Sequence, residues 1–274
     1  MPYDGYYDNI PVSLRILGLQ MKALRELAGL TQHGLADKVG FSESLISSVE
    51  CGRRPLKEDL ALKLEEAFKV PGVFMSVIEE QLKEPHPSWF QPYADAEAEA
   101  VALSAYGTHL VKGLLQTEAY ARAVHIDYHP ALDDDEIERR VTARLSRQKL
   151  LSRVPTASLS FILEEVVLRR PIGGPEVLRE QLHHLLEIGR MRHVQIQVMP
   201  TNRTSHAGLA GPFTLVEPPD REMCAYLEVQ NVGQLVTARR AVSAMARRYG
   251  ILQSQALNAE ESAEFIQKLA MEDQ

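Results

Sequence analysis

The chain has 274 residues, 45% hydrophobic and 24% charged, a balance that suits an ordinary soluble globular protein of about two domains. No apolar run reaches the roughly 20 residues that cross a bilayer, and residues 1–14 lack the basic and apolar regions of a secretory signal, so a cytoplasmic protein without membrane contact is expected. Cys51 and Cys224 are the only cysteines, too few for a disulfide framework or a metal quartet, and no cofactor or metal is expected.

Residues 1–12 are polar and aromatic without periodicity and read as a flexible arm. From Ser13 to Leu82 a helical pattern is interrupted at Gly29, Gly40, Gly52, Pro55 and Pro71, which predicts five short helices and an all-α domain over 1–82. The stretch KEPHPSWFQPY (83–93) holds three prolines and is expected to be a linker. Ala94 to Val124 reads as helix, with a break near Tyr106 to Gly113. Asp133 to Ser152 has acids first and Arg139, Arg140, Arg144, Arg147 and Lys149 later, as the helix macrodipole favours. Four short alternating or β-branched stretches follow, at 158–165, 193–200, 211–218 and 224–230. A helix over 175–191 joins the first two as a βαβ crossover requires, and helices over 234–252 and 259–271 close the chain. The expected fold is therefore α + α/β: a helical domain, a helical linker region, and a domain (94–274) with a small sheet of about four strands.

The net charge of −7 is unevenly placed. Residues 13–70 carry nine Lys/Arg against eight acids, so that segment is slightly basic and the remainder holds the acidity. Phosphate binding depends on a local basic face, which the total does not describe.

Within LTQHGLADKVGFSESLISSVECGRRPL (30–56), Thr31 is a good N-cap and Gly40 a good helix end. Leu35, Ala36 and Val39 form one apolar face, and the small Ala36 lets a second helix cross closely. Ser42 caps the next helix, in which Leu45, Ile46 and Val49 point inward and Glu43, Ser44, Ser47 and Cys51 point away. Two short helices joined by a tight turn are what places a second helix in the DNA major groove. A protein-interaction bundle is the alternative on these residues alone.

Residues 14–70 resemble the XRE (lambda-repressor-like) family, through Leu30-Thr31-Gln32, Ala36, Gly40, Ser42 with Ile46-Ser47, and Glu50 with Gly52 and Arg54-Pro55. The resemblance implies a phosphate contact from Gln32, base-edge contacts from Ser42, Glu43, Ser44 and Ser47, a backbone grip from Arg53 and Arg54, and a homodimer on double-stranded DNA. Ser48, near the helix end, can donate to phosphate. Gly34 departs from the family, which often has acids at 33 and 34, and it costs the helix about 1 kcal/mol relative to Ala.

GLLQTEAYARAV (113–124), ARLSRQKLL (143–151), FILEEVVLRRPIGG (161–174) and HAGLAGPFTLVE (206–217) resemble the C-terminal domain of many actinobacterial XRE regulators, sometimes called antitoxin-like and often encoded beside a very small protein. This implies a domain that senses a small-molecule effector or binds a small protein partner. The alternative is an antitoxin or adaptor whose DNA binding only regulates itself. No catalytic residue is assigned. His183 and His184 are adjacent on a helix and cannot share one metal. Glu164, Glu165 and Glu228 could converge, but strand-end carboxylates commonly form ion pairs. His206 lies in a glycine-rich loop with no identified partner, Cys224 opens a strand and is expected to be buried, and the basic residues of 139–153 are expected to be solvated or at an interface.

Overall fold

The computed structural model describes residues 12–54, 56–78, 89–219, 222–229 and 232–272. These form two compact units, one ending at Trp89 and the other starting at Phe90. The expected arm (1–11), Pro55 and residues 79–88 of the expected fifth helix and linker lie outside the described residues.

The first unit contains α1 (Val12–Leu27), α2 (Gln32–Val39), α3 (Glu43–Glu50) and α4 (Glu58–Phe68), followed by a helical turn over 75–78. Leu17, Met21, Leu35, Ile46, Leu60, Leu64 and Phe74 make its core, each 2% exposed or less. After α4 the buried Glu65 carboxylate accepts N–H bonds from Met75, Phe74 and Gly72. These bonds, that from Met75 foremost, hold its carboxyl below the usual range and tie the returning chain to the helix.

The second unit begins with α5 (Gln91–Glu99), so residues 91–93 are helix where a linker was expected. Pro92 sits in the first turn, where its missing N–H has no helical acceptor to satisfy, so it starts the helix instead of breaking it. Then come β1 (Ala102–Gly107), a 3-10 turn at Gly113–Leu115, α6 (Glu118–Ile126), α7 (Asp134–Arg147), a second 3-10 turn at Gln148–Leu151, and β2 (Ser158–Glu164). They are followed by α8 (Glu165–Arg169), α9 (Pro175–Ile188), β3 (Val194–Met199), β4 (Phe213–Glu217), β5 (Cys224–Val229), β6 (Val232–Val236), α10 (Arg239–Gln255) and α11 (Ala259–Met271).

The sheet has six strands in the order β3-β2-β1-β4-β5-β6, not about four. It is mixed: β1, β2 and β3 run parallel, while β4, β5 and β6 continue antiparallel, so the architecture is α+β overall. The two missed strands have physical explanations. β1, ALSAYG, is built of small residues with no strand signature, and becomes a strand because β2 and β4 pair with both its edges. β6, VGQLV, is short and contains Gly233, and its pairing with β5 takes the residues that helical periodicity assigned to α10. One face of the sheet, through Tyr106, Ile162, Phe213, Leu215 and Ala225, packs on Val242, Tyr249 and Leu252 of α10.

His125 on α6 is 6% exposed, and neither ring nitrogen has a hydrogen-bond partner. Burial first, then the charges of Arg144 and Arg140, pull its imidazole down to about 4. The ring is neutral in the fold at pH 7 and must be protonated on acid unfolding. Its destabilising effect is absent above an unfolded value of about 6.5, grows as pH falls, and is complete below about 4, reaching at most about 3 kcal/mol. Urea unfolding of the second unit should therefore weaken over this window in the wild type and less so in His125→Phe. Parallel pH profiles for the two proteins would disprove the assignment.

Candidate nucleic-acid interface

Local chemistry shapes the α2–turn–α3 segment. The Thr31 hydroxyl accepts the Gly34 N–H at 3.0 Å, opening α2. A β-carbon at Gly34 would lie 3.3 Å from that hydroxyl, so the helix-weakening glycine leaves the cap its room. Gly40 ends α2 at φ 75°, a conformation that disfavours side chains, and its N–H returns to Ala36 at 2.9 Å. Ser42 then accepts the Leu45 N–H at 3.2 Å to open α3. Leu35, Ala36, Val39, Ile46 and Val49 are buried between the helices.

Opposite that buried face, Ser42, Glu43 and Ser44 are exposed and Ser47 is half-buried. This row could meet base edges: Glu43 as an acceptor suits a cytosine amino group, and the hydroxyls suit either donor or acceptor edges. Beyond α3, Gly52 turns at φ 69° and the N–H groups of Arg53 and Arg54 bond back to the Ser48 carbonyl at 2.8 and 3.3 Å. Both arginine side chains are exposed, with no ion-pair partner among the described residues. They are therefore available to phosphates.

Two expected contacts are partly engaged inside the protein. Ser48 donates its hydroxyl proton to the Ser44 carbonyl at 2.7 Å, so the proton expected for a phosphate serves the helix. Gln32 gives one amide N–H to Glu50 at 2.8 Å, leaving the other free. That carboxylate belongs to a buried pair: Arg25 donates to both oxygens of Glu50, at 2.6 and 3.1 Å, and to the Leu30 carbonyl at 2.8 Å. Arg25 and Glu50 are 8% and 5% exposed, and the bond to Glu50 holds the guanidinium firmly charged. The pair locks α1 to α3 and orients Gln32. Its two members stand 25 residues apart, so no local pattern reveals it.

The first unit matches a helix-turn-helix domain over residues 16–74, a match that suggests DNA binding. The second matches DUF5753, a domain of unknown function, over residues 90–268. The chain belongs to the DUF5753 family. Curated proteins and solved structures gave no match. Among the described residues no helix is long and apolar enough to cross a membrane, and no group of three or more His, Cys, Asp or Glu side chains gathers to hold a metal.

The DUF5753 unit separates several residues that the sequence singled out. Glu164 shares a sheet face with Tyr106, whereas Glu228 lies on the face of Tyr226, so the two carboxylates do not converge. Glu165 turns to Arg169 (2.6 Å) and the Thr201 N–H (3.0 Å). His206 does find a partner: its Nε2 lies 3.7 Å from Glu164, which also accepts the Tyr106 hydroxyl, while Nδ1 takes the Gly208 N–H at 3.2 Å. A β-carbon at Gly208 would fall 2.4 Å from that tyrosine oxygen, so this group fastens the 200–212 loop against the sheet. His183 caps the Arg179 carbonyl while His184 faces Glu187, and Cys224 is buried. On α7, Arg144 and Arg147 turn inward to Gln116 and Glu97, whereas Arg139 and Lys149 of the basic stretch are exposed.

Proposed function

We propose that the chain is a sequence-specific transcriptional regulator of the XRE type, acting in the cytoplasm. It reads the major groove with the cap residue Ser42 and with Glu43, Ser44 and Ser47 of α3, and grips phosphates with Gln32, Arg53 and Arg54. The observation that carries this reading is the polar row on α3 followed by two exposed arginines that have no ion-pair partner among the described residues. The resemblance to lambda-repressor-like proteins, which bind two half-sites as two-fold dimers, favours a homodimer. The DUF5753 unit is assigned the sensing of a small-molecule effector or the binding of a small partner protein.

Arg53→Ala/Arg54→Ala should weaken binding to all duplexes alike and reduce the slope of log affinity against log salt by about 2, because each lost phosphate contact removes about 0.9. Ser44→Ala/Ser47→Ala should instead change which sequences are preferred while leaving the slope near its original value. Salt titrations with one bound duplex distinguish the two roles. An unaltered slope in the arginine variant would remove those residues from the interface.

A further inference from the structure

In the DUF5753 unit, a second group of charged side chains lies on the sheet face away from Tyr106. Thr214 pairs with Ala105 and with Tyr226, and Gly107 and Glu228 each lie one pleat further along their strands toward the same end of the sheet. A β-carbon at Gly107 would lie 3.2 Å from Leu163 Cδ2 and 3.3 Å from Lys112 Cε, so the lysine stem runs through the space a side chain would fill. Arg144 and Arg147 approach the neighbouring Gly113, with Arg147 Nη1 and Arg144 Cδ 3.5 and 3.8 Å from its would-be β-carbon.

The charges here do not balance. Arg147 is satisfied by Glu97, donating to both carboxylate oxygens at 2.6 and 2.8 Å. Lys112 is half-buried and makes no hydrogen bond or ion pair among the described residues. Arg144, also half-buried, gives only one N–H to a side chain, that of Gln116 at 2.9 Å. The hydroxyl of Tyr226, 4% exposed, faces the Glu228 carboxylate, and burial first and that carboxylate next hold it protonated. Three cations thus share two carboxylates, Glu97 and the exposed Glu228, and one positive charge is left over. Burial pulls the Lys112 amine down to about 8 in spite of Glu228 and Glu97, and burial together with Arg147 lowers Arg144 to about 10. Both are donors short of an acceptor.

We propose that the DUF5753 unit binds a small molecule through an oxyanion group, held by Lys112 and Arg144 beside Gly107. An anion beside Lys112 and Arg144 neutralises the surplus charge, and its oxygens serve donors that this cluster leaves short of acceptors. Carboxylates and phosphates share this chemistry. The site deepens the sensing role proposed above and names the class of its effector.

The test is thermal unfolding of the full chain without DNA, in inorganic phosphate or succinate at about 10 mM against sodium chloride of equal ionic strength. A millimolar site would raise the Tm of the second unit by about 4 °C. The shift should be lost in Lys112→Met, largely kept in Lys112→Arg, and unchanged in Lys149→Met, a control that removes an exposed lysine. A response to phosphate alone assigns a phosphate-bearing effector, and one to succinate alone a carboxylate. No shift with either probe in the wild type, or an equal shift in Lys112→Met, overturns the proposal. Because DNA is absent, that failure leaves the reading of α3 untouched, just as a failure of DNA recognition would leave this shift intact.

Discussion

Gly18→Ala is expected to destabilise the helix-turn-helix unit by about 2–3 kcal/mol, although alanine is the better helix former. In an exposed helix the exchange would gain about 1 kcal/mol. Here the new β-carbon would lie 2.5 Å from the Val49 carbonyl oxygen and 2.6 Å from that of Glu50. These are backbone atoms at the end of α3 and cannot rotate aside as a side-chain tip could. Relief requires α1 and α3 to separate by most of an ångström, which opens the core around Leu17, Met21, Ile46 and Val49 and stretches the Arg25–Glu50 pair. Amide hydrogen exchange over 17–64 would report the loss as faster exchange. Exchange as slow as in the wild type would mean that the two helices are not held this closely.

The second large effect follows from that same pair. Glu50→Ala should cost about 3–5 kcal/mol, because it strands the Arg25 guanidinium in the interior without its counter-charge. It also releases the Gln32 amide and should blunt DNA binding beyond the loss of folded protein. The double replacement Arg25→Met/Glu50→Met should recover most of the stability, since a buried ion pair is often no better than apolar side chains of similar volume. DNA affinity should not recover fully, because Gln32 still lacks its anchor. Urea unfolding and duplex titration of the three proteins separate the two effects. If the double variant is no more stable than Glu50→Ala, the pair acts through something other than charge compensation.

The legibility of the fold tracked the range of the interactions behind it. Thr31, Gly40 and Ser42 announce α2, the turn and α3 because each acts on backbone atoms within four residues. The exposed row on α3 follows from helical periodicity alone. Nothing local marks Gly18, because its role depends on carbonyls 31 and 32 residues away. The strand nature of β1 and β6 was equally hidden, since small residues become a strand only when neighbours from elsewhere in the chain pair with them. The same holds for the charge cluster of the DUF5753 unit. Lys112, Arg144 and Glu228 come from a loop, a helix and a strand, and only the folded unit brings them within electrostatic reach of one another.

The most direct test of the central claim is selection from a pool of randomised duplexes with the full chain at near-physiological salt. The account predicts enrichment of a motif with two related half-sites, bound at least a thousandfold more tightly than scrambled duplex. The enriched motif should shift when Ser44 and Ser47 are replaced by alanine. A pool that stays random after repeated rounds, with binding equally weak to every duplex, would contradict it.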